Sequence, residues 1–420
     1  MKIWLVVPYE PLPTIDNTGR YLRYGMLSNE LSKNEHNDVT LWMSDFDHVK
    51  KLHRYGYTNT QKIRDNFIVR LIFAPGYKKN VSIGRIKHNL IIANNFKREI
   101  NSEKESPDII VSCLPTLELA EQAVLFAKKN NVPIIIDVVD IWPDVYLTAF
   151  PKPLQRIFRF FLTSEYRRAK RILLNAEAIT AVSNTYLSWA LKCSGRLKKE
   201  EDDVFPLGYS SSILNNADVD EWENKFRKDF NIVSGTILVT FIGQFEKSYD
   251  LETIIFASQR FSKNKSIKFI LAGNGVKNEK LKEMSRNTDN VYFTGWLNHA
   301  AMSALLRVTS VGLAAYSNVA LQSLPYKPFE YMASSIPILS SLKGEFEEII
   351  ETEKIGRTYK ASNVDSFCEE LNWFLSNSNH LKDMGRRAKL LFDLKYSATL
   401  VYPNMVNYME KIISNKKGKG

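Results

Sequence analysis

Four short stretches carry residue types whose spacing could do chemistry. In LPYKPFEYMASSIPIL (324–339), Lys327 and Glu330 stand three residues apart between two prolines and an apolar run. Pro325 and Pro328 can start a helix and Pro337 cannot continue it, so IPIL begins a buried strand. The two charges then share one face near the helix N-terminus, either as a surface ion pair worth about 0.2–0.5 kcal/mol or as a working pair. PYEPLPTIDNTGR (8–20) leads through Gly19 into a helix, which suits close approach of backbone N–H groups to a phosphate or is an ordinary strand-to-helix connection. DFD (45–47) has the spacing of a carboxylate pair that bridges a divalent ion to a diphosphate. DVVDIWPDVY (137–146) places carboxylates just beyond a buried strand, where Asp140 or Asp144 faces a ligand or caps the following turn.

The elements that must position these residues follow from length and periodicity. At 420 residues the chain exceeds what one core usually holds, so two domains are expected. Short apolar runs alternate with amphipathic stretches throughout, the mark of βαβ units. Strands are expected at 2–7, 38–43, 67–73, 108–113, 132–139 and 178–182, and the series restarts at 236–243, 267–273, 290–295, 310–316 and 336–340. This gives an α/β chain of two doubly wound, Rossmann-like domains facing a crevice, with ligands at the strand C-terminal ends. We place a first domain over 1–205, a second over 206–395, and over 396–420 a helix that crosses back to the first, with a basic tail. Gly243 closes the first strand of the second series, and Gly273 and Gly275 close the next. Neither completes GxGxxG and no Walker lysine follows, which argues against dinucleotide dehydrogenases and P-loop enzymes.

Composition narrows the partners. A net charge of +11 calls for an anionic partner, and without a zinc finger, an RNA-reading aromatic signature or a helix-turn-helix, nucleic acid is not expected. Cys113, Cys193 and Cys368 are widely separated and lack CxxC spacing, which argues against a disulfide framework or a structural zinc site and fits a reducing cytoplasm. The opening MKIWLVVPYEPLP reads as a first core strand, and no apolar run reaches the length of a membrane span. FPKPLQRIFRFFLTSEYRRAKRILL (150–174) combines aromatics and leucines with basic residues, an apolar stripe bordered by cations that can rest on an anionic membrane or pack into a core. His299 is expected to start a helix, and His36, His53, His88 and His380 to lie on the surface.

The order of these pieces resembles glycosyltransferase family 4, a group 1 family of GT-B enzymes. FIGQFEKSYDLETII, KFILAGNG, VYFTGWLNHAAMSALL, VGLAAY and KPFEYMASSIPIL carry the resemblance in the second half. WLVVPYEPLP, TGRYLRYGMLSNEL, DVTLWMSDFDH, DIWPDVY and AITAVSNTYL in the first half look like the branch that builds bacterial capsules and O-antigens. The resemblance implies a retaining, metal-independent transferase that moves a sugar from a nucleotide sugar, a UDP-sugar, to a lipid-linked saccharide, with no cofactor. It implies that Glu330 binds the donor ribose, that basic side chains and helix N-terminal amides hold the diphosphate, and that Gly19, Gly243, Gly273 and Gly275 line the donor. Two departures matter. Gln244 replaces the family's usual arginine, which leaves the phosphate charge to Lys247 or Lys327, and Ser323 stands where an acidic residue is often found. Arg20, His48 and Asp140 are placed on the acceptor side, and Asp140, Lys327 and Glu330 are the expected catalytic set. DFD lies in the first half, away from the nucleotide domain, so no metal is expected. The implied location is cytoplasmic, peripheral on the inner face of the membrane. An epimerase or hydrolase of the same fold, or a non-catalytic sugar-nucleotide-binding scaffold, are the alternatives.

Overall fold

In the computed structural model, residues 1–16, 20–80, 82–148, 150–210 and 216–418 are described. They form two compact units, Met1–Gly208 with Ala398–Gly420, and Tyr209–Ser397. The strands of the first unit are β1 (Lys2–Val6), β2 (Asp38–Ser44), β3 (Phe46–Asp47), β4 (Leu52–His53), β5 (Asn59–Arg64), β6 (Phe67–Ile72), β7 (Ile109–Leu114), β8 (Ile134–Val138), β9 (Ala178–Ala181) and β10 (Asp203–Val204). Eight of them make one sheet, ordered β10-β9-β8-β7-β1-β2-β6-β5, and β3 pairs with β4 as a separate hairpin. Every residue of β7, β8 and β9 is buried, as a parallel sheet covered on both faces requires. β5, NTQKIR, runs antiparallel at the edge with one face half-buried and the other exposed. Its polar sequence explains why hydrophobic periodicity did not reveal it.

The helix Ala398–Gly418 belongs to this first unit. Val401, Met405, Met409 and Ile412 recur on one face and are buried with Leu27 and Leu31 of the Arg23–Leu31 helix. Beneath that contact Arg23 pairs with Asp137 through Nε–Oδ2 at 2.7 Å and Nη2–Oδ1 at 3.0 Å, and the Tyr24 and Thr180 hydroxyls donate to the same carboxylate. With its hydrogen bonds filled, this buried pair holds the Arg23–Leu31 helix to β8.

The basic stretch 150–174 forms two helices, Lys152–Phe161 and Thr163–Leu174. The second packs Ala169, Ile172 and Leu173 into the core, and two of its four cations are taken: Arg168 meets Glu121 at 3.1 Å and Glu165 at 2.8 Å, and Arg171 meets Glu121 at 2.9 Å, while Arg167 and Lys170 are exposed. Only the first keeps its apolar face outward, with Leu154, Ile157, Phe160 and Phe161 exposed beside exposed Arg156 and Arg159. No helix among the described residues is long and apolar enough to cross a membrane.

In the second unit β11 (Ile237–Ile242), β12 (Ile267–Ala272), β13 (Val291–Gly295), β14 (Val311–Ala314), β15 (Ile338–Ser340) and β16 (Gly356–Thr358) are all parallel, ordered β13-β12-β11-β14-β15-β16. The chain winds outward from β11 through β12 to β13, then returns to the other side of β11 as β14. Winding reverses between β11 and β14, and the loops at that switch point diverge to leave a place for a ligand at the strand C-terminal ends.

Candidate functional site

The second unit gathers its chemistry at this switch. Tyr326–Ala333 is a helix with Pro325 as its N-cap residue and Pro328 in its first turn, where a missing N–H leaves no intrahelical bond unmade. Tyr331 seats the helix on the sheet. Its hydroxyl accepts the Ile242 N–H at 3.2 Å and donates to the Thr240 carbonyl at 3.0 Å, and its ring fills the space that a β-carbon on Gly312 would need. Lys327 is thereby turned inward, 8% exposed, with Nζ 4.1 Å from the Phe241 ring centre and 4.8 Å from that of Tyr249. Among the described residues the ammonium has no hydrogen-bond or ion-pair partner. Burial pushes its pKa down to about 8, while the charge of Glu330, one turn on and 9% exposed, pulls the other way.

Gly243 lies directly against that ammonium. At φ +149° it holds a backbone conformation that side-chain-bearing residues avoid, and a β-carbon there would stand 2.1 Å from Lys327 Nζ. Gly273 would meet the Gly243 carbonyl at 1.9 Å, and Gly275 the Phe245 nitrogen at 2.7 Å. These two glycines therefore let the loops after β11 and β12 abut, stitched by Phe245 N–H to Asn274 O at 2.9 Å. Gln244 and Lys247 are exposed on the β11 loop, and the Lys247 carbonyl accepts the Ser317 hydroxyl at 3.0 Å. Sequence reasoning missed Glu345. It opens the helix Glu345–Glu353, and its Oε2 accepts the Ser323 hydroxyl at 3.1 Å, so a carboxylate stands beside the position where 323 itself lacks one. A contact across 22 residues and a strand leaves no local spacing to read.

A buried cation with no counter-charge in contact with it is costly unless something anionic arrives. Set against a glycine loop at a winding reversal, it can stabilise a diphosphate and the charge that grows on it as a bond to it breaks.

The first unit places its predicted residues differently. Gly19 lies outside the described residues. The helix it leads toward does not offer free N–H groups to a phosphate: Glu10, 2% exposed, accepts the Leu22 N–H at 2.6 Å and the Tyr24 N–H at 3.3 Å. The chain's own carboxylate occupies that anion position, and its burial pushes the pKa up to about 8. Arg20 is half-buried just ahead of this helix.

His48 packs edge-on against Tyr9 with ring centres 4.2 Å apart, and its buried Nδ1 has no partner among the described residues. Burial, helped by the charges of Lys51 and Arg85, pushes it down to about 4, so the imidazole is neutral at neutral pH. Asp140 Oδ1 accepts the Ile141 N–H at 2.9 Å and Oδ2 the Trp142 indole N–H at 3.3 Å; burial raises its pKa while Arg85 opposes the rise. Arg85, unnoticed in the sequence, reaches the Asp140 loop, where its guanidinium lies 4.6 Å from the Trp142 ring centre, and acts on His48 through its charge. In sequence it was one more cation on an amphipathic helix.

The carboxylates of DFD build their own loop. Asp45 accepts the Tyr55 N–H at 2.8 Å and the Gly56 N–H at 2.9 Å and meets His53 Nδ1 at 2.9 Å; Asp47 accepts the N–H groups of Val49 and Lys50. No group of three His, Cys, Asp or Glu residues suited to a metal occurs among the described residues. His299 opens the His299–Val308 helix as expected, but His88 is buried, bonding Pro75 O at 2.8 Å, because the inner face of its helix packs on the sheet.

Residues 223–391, within the second unit, match the family "Glycosyl transferases group 1". No curated protein matches the chain by sequence. Among solved structures, the chain is similar to sucrose-phosphate synthase from Thermosynechococcus elongatus, at 14% identity and TM-score 0.72, covering 99% of each chain. It is also similar to HepE from Anabaena solved with UDP-glucose, at 11% identity and TM-score 0.65, over 98% of this chain and 100% of that one. A third is WaaG, a glycosyltransferase involved in lipopolysaccharide biosynthesis, at 13% identity and TM-score 0.63, over 96% and 98%. At these identities the likeness concerns the fold, two Rossmann-like units of the GT-B type.

Proposed function

We propose that this chain, which carries a group 1 glycosyltransferase domain in its second unit, moves a sugar from a UDP-sugar to a lipid-linked saccharide in surface polysaccharide synthesis, working on the inner face of the cell membrane. In this reading the donor diphosphate lies on Gly243 and Lys327, and Glu330 takes the ribose hydroxyls with two charged acceptors. Exposed Gln244 and Lys247 flank the diphosphate, and Gly273 and Gly275 shape the loop beside it. As the anomeric C–O bond breaks, the electron pair leaves with the diphosphate and is stabilised by the Lys327 ammonium and the first N–H groups of the Tyr326–Ala333 helix, without a metal ion. The acceptor hydroxyl bonds the same carbon from the leaving-group face, so configuration is retained, and its proton passes to the departing phosphate oxygen. Arg20, His48 and Asp140 serve the acceptor.

The observation that carries this reading is the buried, unpartnered ammonium of Lys327 against Gly243. It is tested by calorimetry with UDP and a panel of UDP- and GDP-sugars, followed by transfer assays on lipid-linked acceptors. UDP binding that Lys327→Ala weakens at least tenfold, together with transfer to acceptor, supports the proposal. Equal UDP affinity in both proteins overturns the assignment of Lys327, and donor turnover with no need of acceptor replaces transfer by hydrolysis or epimerisation.

A further inference from the structure

The first unit holds a cavity of about 420 Å³ that the roles above leave unused, between the start of the Ile83–Ser102 helix and the Lys152–Phe161 helix. Its size is within the range of small-molecule sites. Ile83, Ile86, Tyr146, Phe150, Phe158 and Phe161 give it apolar walls, and the Phe150 and Phe158 rings stack at 3.4 Å. Glu118 and Glu165 also line it, and both are turned to Arg168, at 3.6 and 2.8 Å. The cation left over is Arg85. Its Nη1 donates to the Asn80 carbonyl at 3.0 Å, its buried Nε has no partner, and among the described residues it makes no ion pair.

Arg85 also marks where the cavity leads. Its guanidinium covers Trp142, whose indole holds Asp140, and its charge acts on both His48 and Asp140. One end of the space is thus aromatic and aliphatic, opening beside the exposed apolar face of the Lys152–Phe161 helix, and the other ends on an unpaired cation next to the residues assigned to the acceptor. A ligand that matches both ends has an apolar chain closed by a phosphate.

We infer that this cavity receives the lipid end of the acceptor: the proximal part of a single apolar chain lies among Ile83, Ile86, Phe158 and Phe161, and its phosphate is held by Arg85, which points the attached sugar toward His48 and Asp140. A bilayer surface fits less well, because it would engage the outward residues Ile157 and Phe160 and leave the cavity and Arg85 unused. The inference rests on the proposed transfer to a lipid-linked acceptor and deepens it.

The probes are radiolabelled farnesyl phosphate and farnesol, each below its aggregation concentration, in equilibrium dialysis against the full chain, Arg85→Gln and Ile86→Glu. Ile86 is half exposed, so the glutamate is tolerated by the fold, and circular dichroism checks this. Expected is one farnesyl phosphate per chain, an affinity about tenfold or more lower in Arg85→Gln with farnesol unaffected, and loss of both ligands in Ile86→Glu. Phosphatidylglycerol vesicles should sediment all three proteins equally. Farnesyl phosphate binding that neither variant changes overturns the inference, as does equal affinity for farnesol and farnesyl phosphate. Vesicle binding that falls in step with farnesyl phosphate binding assigns the cavity to bilayer docking instead. UDP calorimetry on the same samples separates the two readings: UDP bound without lipid phosphate sinks the cavity alone, whereas lipid phosphate bound without UDP sinks the donor site alone.

Discussion

Lys327 should make nucleotide binding fall with rising pH. In the free protein its pKa is pushed down to about 8 because the ammonium is buried between Phe241 and Tyr249. A bound diphosphate adds a counter-charge in direct contact, beyond the more distant Glu330, and raises that pKa, so binding above pH 8 takes up a proton. The terminal phosphate has a second pKa of about 6 and stays fully ionised in this window. Linkage then predicts a dissociation constant for UDP almost flat to pH 7 and about tenfold weaker at pH 9, or about 1.4 kcal/mol per unit above the folded pKa. The sign for stability is opposite. The lysine pKa is lowered on folding, so between about 8 and 10.5 the unfolded chain binds more protons and the free protein gains stability as pH rises, by up to about 3 kcal/mol in total. Titration calorimetry at pH 7, 8, 9 and 9.5 in two buffers of different ionisation enthalpy measures both affinity and proton uptake, and Lys327→Ala should abolish the pH dependence. A constant within twofold from pH 7 to 9, or protons released on binding, would refute the reasoning.

Other substitutions test the neighbouring parts. Glu330→Gln should weaken nucleotide-sugar binding by about 1.5–3 kcal/mol through loss of a charged acceptor, with an unchanged circular dichroism spectrum; unaltered donor affinity in calorimetry returns Glu330 to a purely structural role. Gly243→Ala places a methyl group 2.1 Å from Lys327 Nζ and strains a φ of +149°, so UDP affinity and thermal midpoint should both drop, the latter by the equivalent of about 1–3 kcal/mol. Transfer in excess chelator should run at nearly the full rate and give a product whose anomeric coupling, read by NMR, matches the donor; activity that only manganese restores, or an inverted product, counts against the mechanism. Phe160→Asp with Arg156→Gln on the Lys152–Phe161 helix should reduce sedimentation with anionic vesicles, whereas neutralising Arg168 and Arg171, already paired with glutamates, should change it little.

The sequence by itself determined the strand series and the two-unit α/β plan. Buried parallel strands are short runs such as IIIDV and ILVTFI, apolar because both faces are covered, and that demand is local. It also located the Tyr326–Ala333 helix between its prolines and put Lys327 and Glu330 on it. Tertiary structure decided what these residues can do. Only packing shows that Tyr331 turns the helix so that Lys327 enters the core without a partner and lies on Gly243, because that contact joins segments more than eighty residues apart. Only packing shows that Glu10 fills the helix start expected to greet a phosphate, that Glu345 comes to Ser323, and that Arg85 sits between an apolar cavity and Asp140. The physical reason is common to all four. Residue type and spacing report which face of an element is apolar, but the free energy of a buried charge depends on which distant groups surround it, and the fold chooses those.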